Sequence, residues 1–116
     1  MNCLELACGF SEKDSKVENE IRGQKNIFDS LIKRTQNCMD KINDDDDPIE
    51  CEVAYLSEDN KFTWHTHPAG TREPSDVDIK TTNNLKKDFL CIGLVPTGET
   101  VCWHKDDNFK EEVFSF

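Results

Sequence analysis

Apolar residues occur in short runs separated by polar breaks, which predicts an alternation of strands and helices. Cys3–Phe10 is a short apolar run with Gly9 near its end, the pattern of a buried strand. Ser11–Lys16 is a polar turn. Val17–Arg22 alternates loosely and predicts a second strand closed by Gly23. Phe28, Ile32, Thr35, Met39 and Ile42 recur at helical spacing. With Asp29 or Ser30 as N-cap, that spacing predicts a helix over residues 30–42. The run Asn43–Pro48 ends it. Its four adjacent aspartates lack the alternating ligands, central glycine and distant glutamate of a calcium loop, so the run reads as a solvated loop.

Ile49–Leu56 and Lys61–His67 flank Ser57–Asn60, which predicts a hairpin with a four-residue loop. After Pro68 comes a loop holding Gly70 and Pro74. Ser75 caps a helix that runs to about Lys87, and Asp78 completes an S-x-x-D capping pattern. Phe89–Val95 is continuously apolar, as expected of a central strand. Thr97 and Gly98 turn the chain into a partner strand, Thr100–His104. The acidic tail Asp106–Glu112 reads as loop or edge, with Val113, Phe114 and Phe116 packing back. The expected class is α/β (α+β): one domain spanning residues 1–116, with a mixed sheet flanked by two helices.

Composition narrows the partners. The 116 residues are the size of one domain, large enough to bury a core without disulfide staples. A net charge of −10 repels phosphate backbones, so nucleic acid is not an expected direct partner, whereas a basic protein or peptide is steered in. The six cysteines include no Cys-x-x-Cys pair and several lie in apolar runs, so they read as buried free thiols. Met1–Phe10 lacks a basic stretch and carries Glu5, which is unlike a signal peptide. No apolar run is long enough to span a bilayer. The expected setting is a reduced cytoplasm, away from any membrane.

Chemistry concentrates in Trp64-His65-Thr66-His67-Pro68. Residues two apart on a strand share a face, so His65 and His67 project together, opposite Phe62, Trp64 and Thr66. Two imidazoles on one strand form half of a tetrahedral metal site. Pro68 ends the strand, and the following loop returns the first turn of the next helix over the strand end, where Asp78 offers a carboxylate. Two neutral imidazoles and one carboxylate leave a fourth position of one Zn²⁺ open, the pattern of a catalytic site; Mg²⁺ and Ca²⁺ suit imidazole poorly. Elsewhere the expectations are plain. His104 reads as a surface histidine, Trp64 and Trp103 as core, and Asp76 as a first-turn charge that suits the helix dipole.

His65-Thr66-His67, seven residues, Ser75, two residues, Asp78 resembles the signature of the JAMM (MPN+) zinc metalloprotease family, His-(Ser/Thr)-His-x7-Ser-x2-Asp, without a gap. Pro68, Gly70, Pro74 and Ile79 fit the same pattern, and the strand–loop–helix–strand order extends the resemblance over residues 60–104. The family implies a catalytic glutamate on an early strand followed by apolar residues. Glu5, opening Glu5-Leu6-Ala7-Cys8-Gly9-Phe10, fits that description. Glu20 competes through Glu20-Ile21-Arg22-Gly23, but Gln24, Lys25 and Asn26 follow it, where a buried strand accepts none of them. The family also places a helix before its glutamate, and only four residues precede Glu5. Ser75 has two readings, a helix N-cap alone or an N-cap that also donates to the developing oxyanion. The resemblance implies hydrolysis of an isopeptide bond on a ubiquitin-like or sulfur-carrier protein. Related possibilities are a phage-tail or cell-wall peptidase, a RadC-like protein, or a non-catalytic scaffold. Metal-free family members usually lack a ligand, whereas this chain carries all three.

Overall fold

The strand Phe62–His67 (β2) lies inside the sheet and carries both histidines of the motif. The structure is a computed structural model that describes residues 12–43, 45–56 and 59–116. Around β2 stand β1 (Ala54–Tyr55), β3 (Phe89–Leu94), β4 (Thr100–His104) and β5 (Glu112–Ser115), in the order β1-β2-β3-β4-β5. The helices are α1 (Glu12–Arg22), α2 (Lys25–Lys41) and α3 (Asp76–Asn84). β2 and β3 run parallel and the other neighbours antiparallel. A parallel pair needs a crossover, and α3 supplies it. The expected class, a mixed α+β fold, is what forms.

Strand alternation divides the core in two. On one face Phe62, Trp64, Phe89, Cys91 and Cys102 meet Val17 and Ile21 of α1 and Phe28 and Ile32 of α2. On the other, Leu90, Ile92, Leu94, Val101 and Trp103 form a smaller cluster with Phe109, against which Ile79 of α3 packs. Trp64 is held most tightly. Its ring stacks on Phe28 with centroids 4.8 Å apart, and its indole Nε1 donates to Thr100 Oγ1 at 3.3 Å. Its far edge covers Gly93, where an added Cβ would lie 2.4 Å from Cζ2. Thr66, also on this face, lies 3.0 Å from Thr35 of α2 through the two hydroxyls, and its Oγ1 accepts the Val53 N–H at 2.8 Å.

Several local expectations need correction. Val17–Arg22 belongs to helix α1, not to a strand: Val17 and Ile21 are four apart and both buried, a helical period masked by the polar residues between them. Among the described residues there are thus three α-helices where two were expected. α2 starts at Lys25, earlier than its apolar stripe suggested. Pro48–Cys51 is a 3-10 turn, begun by Pro48 and capped by Asp47, whose carboxylate accepts the Ile49 N–H at 3.0 Å; the first strand shrinks to two residues accordingly. α3 stops at Asn84, and Lys86 takes a left-handed φ of 59°. The tail forms β5, with Val113, Phe114 and Phe116 against the core as expected. The expected strand Cys3–Phe10 lies outside the described residues.

The free-thiol reading is also corrected for four of the six cysteines; Cys3 and Cys8 lie outside the described residues. Cys38 bonds Cys51, and Cys91 bonds Cys102, which stands directly opposite it across β3 and β4. Among the described residues, no helix is long and apolar enough to cross a membrane.

Gly93 allows the core to close over β2. Gly93→Ala should cost about 1–3 kcal/mol through overpacking against Trp64, read from denaturant unfolding. Trp64 emission should shift in the folded variant, and an unchanged midpoint would show that the contact is not restrictive.

Candidate metal centre

His65 and His67 leave β2 on the face turned toward α3, because Trp64 and Thr66 occupy the opposite one. Their Nε2 atoms lie 2.9 Å apart. Each stands 3.2 Å from Oδ2 of Asp78, and all three side chains are largely buried. A tetrahedral ion with bonds near ~2.0–2.1 Å has ligand atoms about 3.3 Å apart, so this triangle matches one face of such a site. The donor set, two imidazole nitrogens and a carboxylate oxygen, fits a metal of the same kind. The three residues singled out in the sequence are therefore brought together.

Each ligand is aimed by a neighbour. His67 Nδ1 lies 2.7 Å from the Thr71 carbonyl oxygen, which can only accept, so Nδ1 carries a proton and Nε2 of the neutral ring offers its lone pair. Asp78 is fixed by the cap of α3. Its Oδ2 accepts the Ser75 N–H at 3.0 Å while Ser75 Oγ accepts the Asp78 N–H at 3.1 Å, a reciprocal capping box. Thr63 Oγ1 and Thr82 Oγ1, 2.9 Å apart, bind α3 to β2 just below. Ser75 is thus the expected N-cap. Asp76, in the first turn, is exposed and completes the favourable charge there.

The loop between ligands is pinned at two points. Gly70 takes φ +81°, and a Cβ there would meet Pro96 Cγ at 3.0 Å. Arg72 bridges Glu99, 2.8 Å from its Nη1, and Glu112 of β5. Thr71, whose carbonyl orients His67, lies between these two anchors.

Glu52, which the sequence reading did not single out, stands beside the ligands. The Thr66 N–H donates to the Val53 carbonyl at 2.9 Å, carrying the β1–β2 ladder one step beyond Ala54↔His65. In that register Glu52 falls opposite His67, on the ligand face. It lines both cavities beside the centre: one of about 230 Å³ with His65 and Asp78, and one of about 480 Å³ with His67 and Ser75. A signal existed in the expected hairpin. A four-residue loop at Ser57–Asn60 pairs Leu56 with Lys61, which already puts Glu52 on the face of His65. Glu5 lies outside the described residues. Glu20, its competitor, is exposed on helix α1 and not on a strand. A larger cavity, about 740 Å³, follows α2 beside Lys33, Arg34 and Lys41 and contains none of the ligands, so size alone does not mark this site.

A second group, Asp14, His104 and Asp106, corrects the reading of His104 as a surface residue: it is buried. Asp14 Oδ2 lies 3.4 Å from Nε2 and Asp106 Oδ2 lies 3.5 Å from Nδ1. One ligand atom from each lies within 4.8 Å of the others, so the three form a second candidate metal-ligand group. The contact also fastens α1 to the end of β4.

Charge at the centre is strongly coupled. Burial by itself lowers the His67 pKa, but hydrogen bonds to Asp78 and to the Thr71 carbonyl, with the charges of Asp78 and Glu52, raise it above its ordinary 6.5. Burial likewise pushes the Asp78 carboxyl up, yet His65, His67 and the Ser75 N–H hold it well below the carboxylate range. Comparisons with protein-family models, curated proteins and solved structures found no match.

These shifts fix a pH window for the metal-free chain. Stability from a raised His67 is complete below 6.5 and fades as pH rises through its folded value. Stability from a lowered Asp78 is complete above 3.8 and fades as pH falls through its folded value. The stability difference between the parent and Asp78→Asn should therefore be greatest between pH 3.8 and 6.5 and shrink on both sides. Denaturant unfolding across pH, with chelator present, measures this; a flat difference would mean that the triad is not coupled.

Proposed function

We propose that this chain is a zinc-dependent metallopeptidase that hydrolyses an amide bond, with His65, His67 and Asp78 holding one Zn²⁺ and Glu52 serving as general base. The observation that carries this reading is the convergence of two imidazole nitrogens and one carboxylate oxygen within 3.2 Å of one another, with Glu52, two residues before the neighbouring strand β1, lining the cavities beside them. Zinc, when bound, supplies a Lewis acid that lowers the pKa of water toward ~7 and polarises a carbonyl. Glu52 takes a proton from the attacking water on its carboxylate and returns it to the departing amine nitrogen. Ser75 Oγ, which accepts the Asp78 N–H, directs its own proton to the oxygen that gains charge. The Thr71 carbonyl keeps the His67 proton on Nδ1 throughout.

The JAMM resemblance points the same way, and Glu52 suits it better than Glu5 does. A helix, α2, precedes Glu52, the apolar stretch Val53–Leu56 follows it, and β2 with its two histidines comes next. By that resemblance, the substrate class we propose is an isopeptide or peptide bond at the C-terminus of a ubiquitin-like or sulfur-carrier protein. Among the described residues β1 ends the sheet, which gives an extended tail an edge to lie along.

Zinc-replete protein should carry one zinc per chain, lost in His65→Ala and Asp78→Ala. Glu52→Gln should keep the metal and the fold while turnover of a ubiquitin-like fusion falls by ~10²–10⁴. Chelator should stop cleavage and added Zn²⁺ restore it. Glu5→Gln and Glu20→Gln should stay within a few-fold of the parent. Loss of turnover in Glu5→Gln alone would move the base away from Glu52, and absence of zinc from the parent would remove the catalytic reading altogether.

A further inference from the structure

The described residues expose five large apolar side chains: Ile27, Ile49, Leu56, Val77 and Leu85. Three of them, Leu56, Val77 and Leu85, line the same cavity of about 230 Å³, the one that also contains Glu52, His65 and Asp78. Their exposures are 56%, 71% and 42%. Val77, Thr81 and Leu85 are spaced by four, so they form one stripe along α3 and its C-cap. Ala54 and Tyr55 of β1, with Leu56 just after it, form the opposite wall. Among the described residues, the only carboxylates in the lining are Glu52 and Asp78, both belonging to the centre, and the rest of the lining carries no Lys, Arg, Asp or Glu. A cavity of about 150 Å³ already admits a benzene-sized apolar group.

We infer that this cavity is a specificity pocket that seats one apolar side chain, of leucine or isoleucine size, from an extended substrate segment next to the bond that is cut. The inference rests on the metallopeptidase reading and adds the chemistry of the residue selected. Leaving Leu56, Val77 and Leu85 in water is unfavourable, and a substrate side chain between α3 and β1 removes that surface from solvent. The pocket adjoins His65 and Asp78, so a side chain seated there places its own backbone at the centre. The described residues of the lining include no Lys or Arg to pair with an acidic side chain.

The test uses the full chain carrying Glu52→Gln, loaded with zinc, and blocked hexapeptides in which one position is leucine, alanine, aspartate or lysine, moved along the peptide. Binding is followed through labelled Leu, Ile and Val methyl groups. The leucine peptide should shift the methyls of Leu56, Val77 and Leu85 and bind about tenfold or more tightly than the alanine and aspartate peptides. The double variant Leu56→Asn, Val77→Thr changes only exposed positions, so zinc content and thermal midpoint should hold while the leucine preference disappears. Equal binding of leucine and aspartate peptides, unmoved pocket methyls, no binding by any peptide, or a preference that survives the double variant would each overturn the inference. Cleavage assays on the parent enzyme separate this from the underlying reading. Leucine-selective binding without metal-dependent cleavage would sink the peptidase reading alone, and cleavage indifferent to the residue would sink the pocket alone.

Discussion

Everything at the centre depends on what β2 buries on its other face. Trp64 fits between the Phe28 ring and the bare backbone of Gly93, and Thr66 is bound to both Thr35 and Val53. Because side chains alternate along a strand, fixing these two residues leaves His65 and His67 no face but the one toward α3. A slip of one residue would bury both imidazoles against aromatic rings and expose Trp64, so the core enforces the register. β1 and β3 hold β2 from both sides, so the two ligand positions are set by a ladder and not by a loop.

The third ligand is set by a different device. Asp78 is the N3 residue of a capping box, and the oxygen that meets both histidines also accepts the Ser75 N–H. Helix initiation and ligand placement are thereby one structural event, and the partial positive charge at the start of α3 favours the carboxylate needed there. Holding two imidazoles and a carboxylate within 3.2 Å and mostly out of water requires a proton or a cation among them. A metal ion satisfies the same three atoms that a shared proton holds in its absence.

What the sequence made legible follows from range. The His65, His67 and Asp78 grouping depends on strand alternation and on one short loop, both local, and so do the hairpin, the Ser75 cap and the strands Phe89–Leu94 and Thr100–His104. Helix α1 was misread because its buried stripe, Val17 and Ile21, is only two residues long amid charge, and two points do not separate a period of two from one of four. The disulfides were illegible because Cys38 and Cys51 meet only once α2 folds back on the 3-10 turn, and Cys91 faces Cys102 only in one β3–β4 register. His104 seemed a surface residue because its partner Asp14 lies ninety positions earlier. Glu52 was overlooked for a different reason: it falls just outside a two-residue strand, where the pattern of apolar residues gives little weight to a charged one.

That position makes the support of Glu52 a structural problem in its own right. A strand of two residues is a poor platform for the proposed base, and Glu52 follows a 3-10 turn of only four residues. Helix α2 supplies what the strand lacks. Thr35 and Cys38 are three apart and so lie on one face of that helix. Thr35 reaches Thr66, between the two histidines, while Cys38 is bonded to Cys51, the residue before Glu52. One turn of α2 therefore spans both halves of the centre, with the strand of His65 and His67 fastened at one residue and the Glu52 segment at the other. The separation between Glu52 and the candidate ligands is set by helix geometry, although neither Thr35 nor Cys38 belongs to the centre itself.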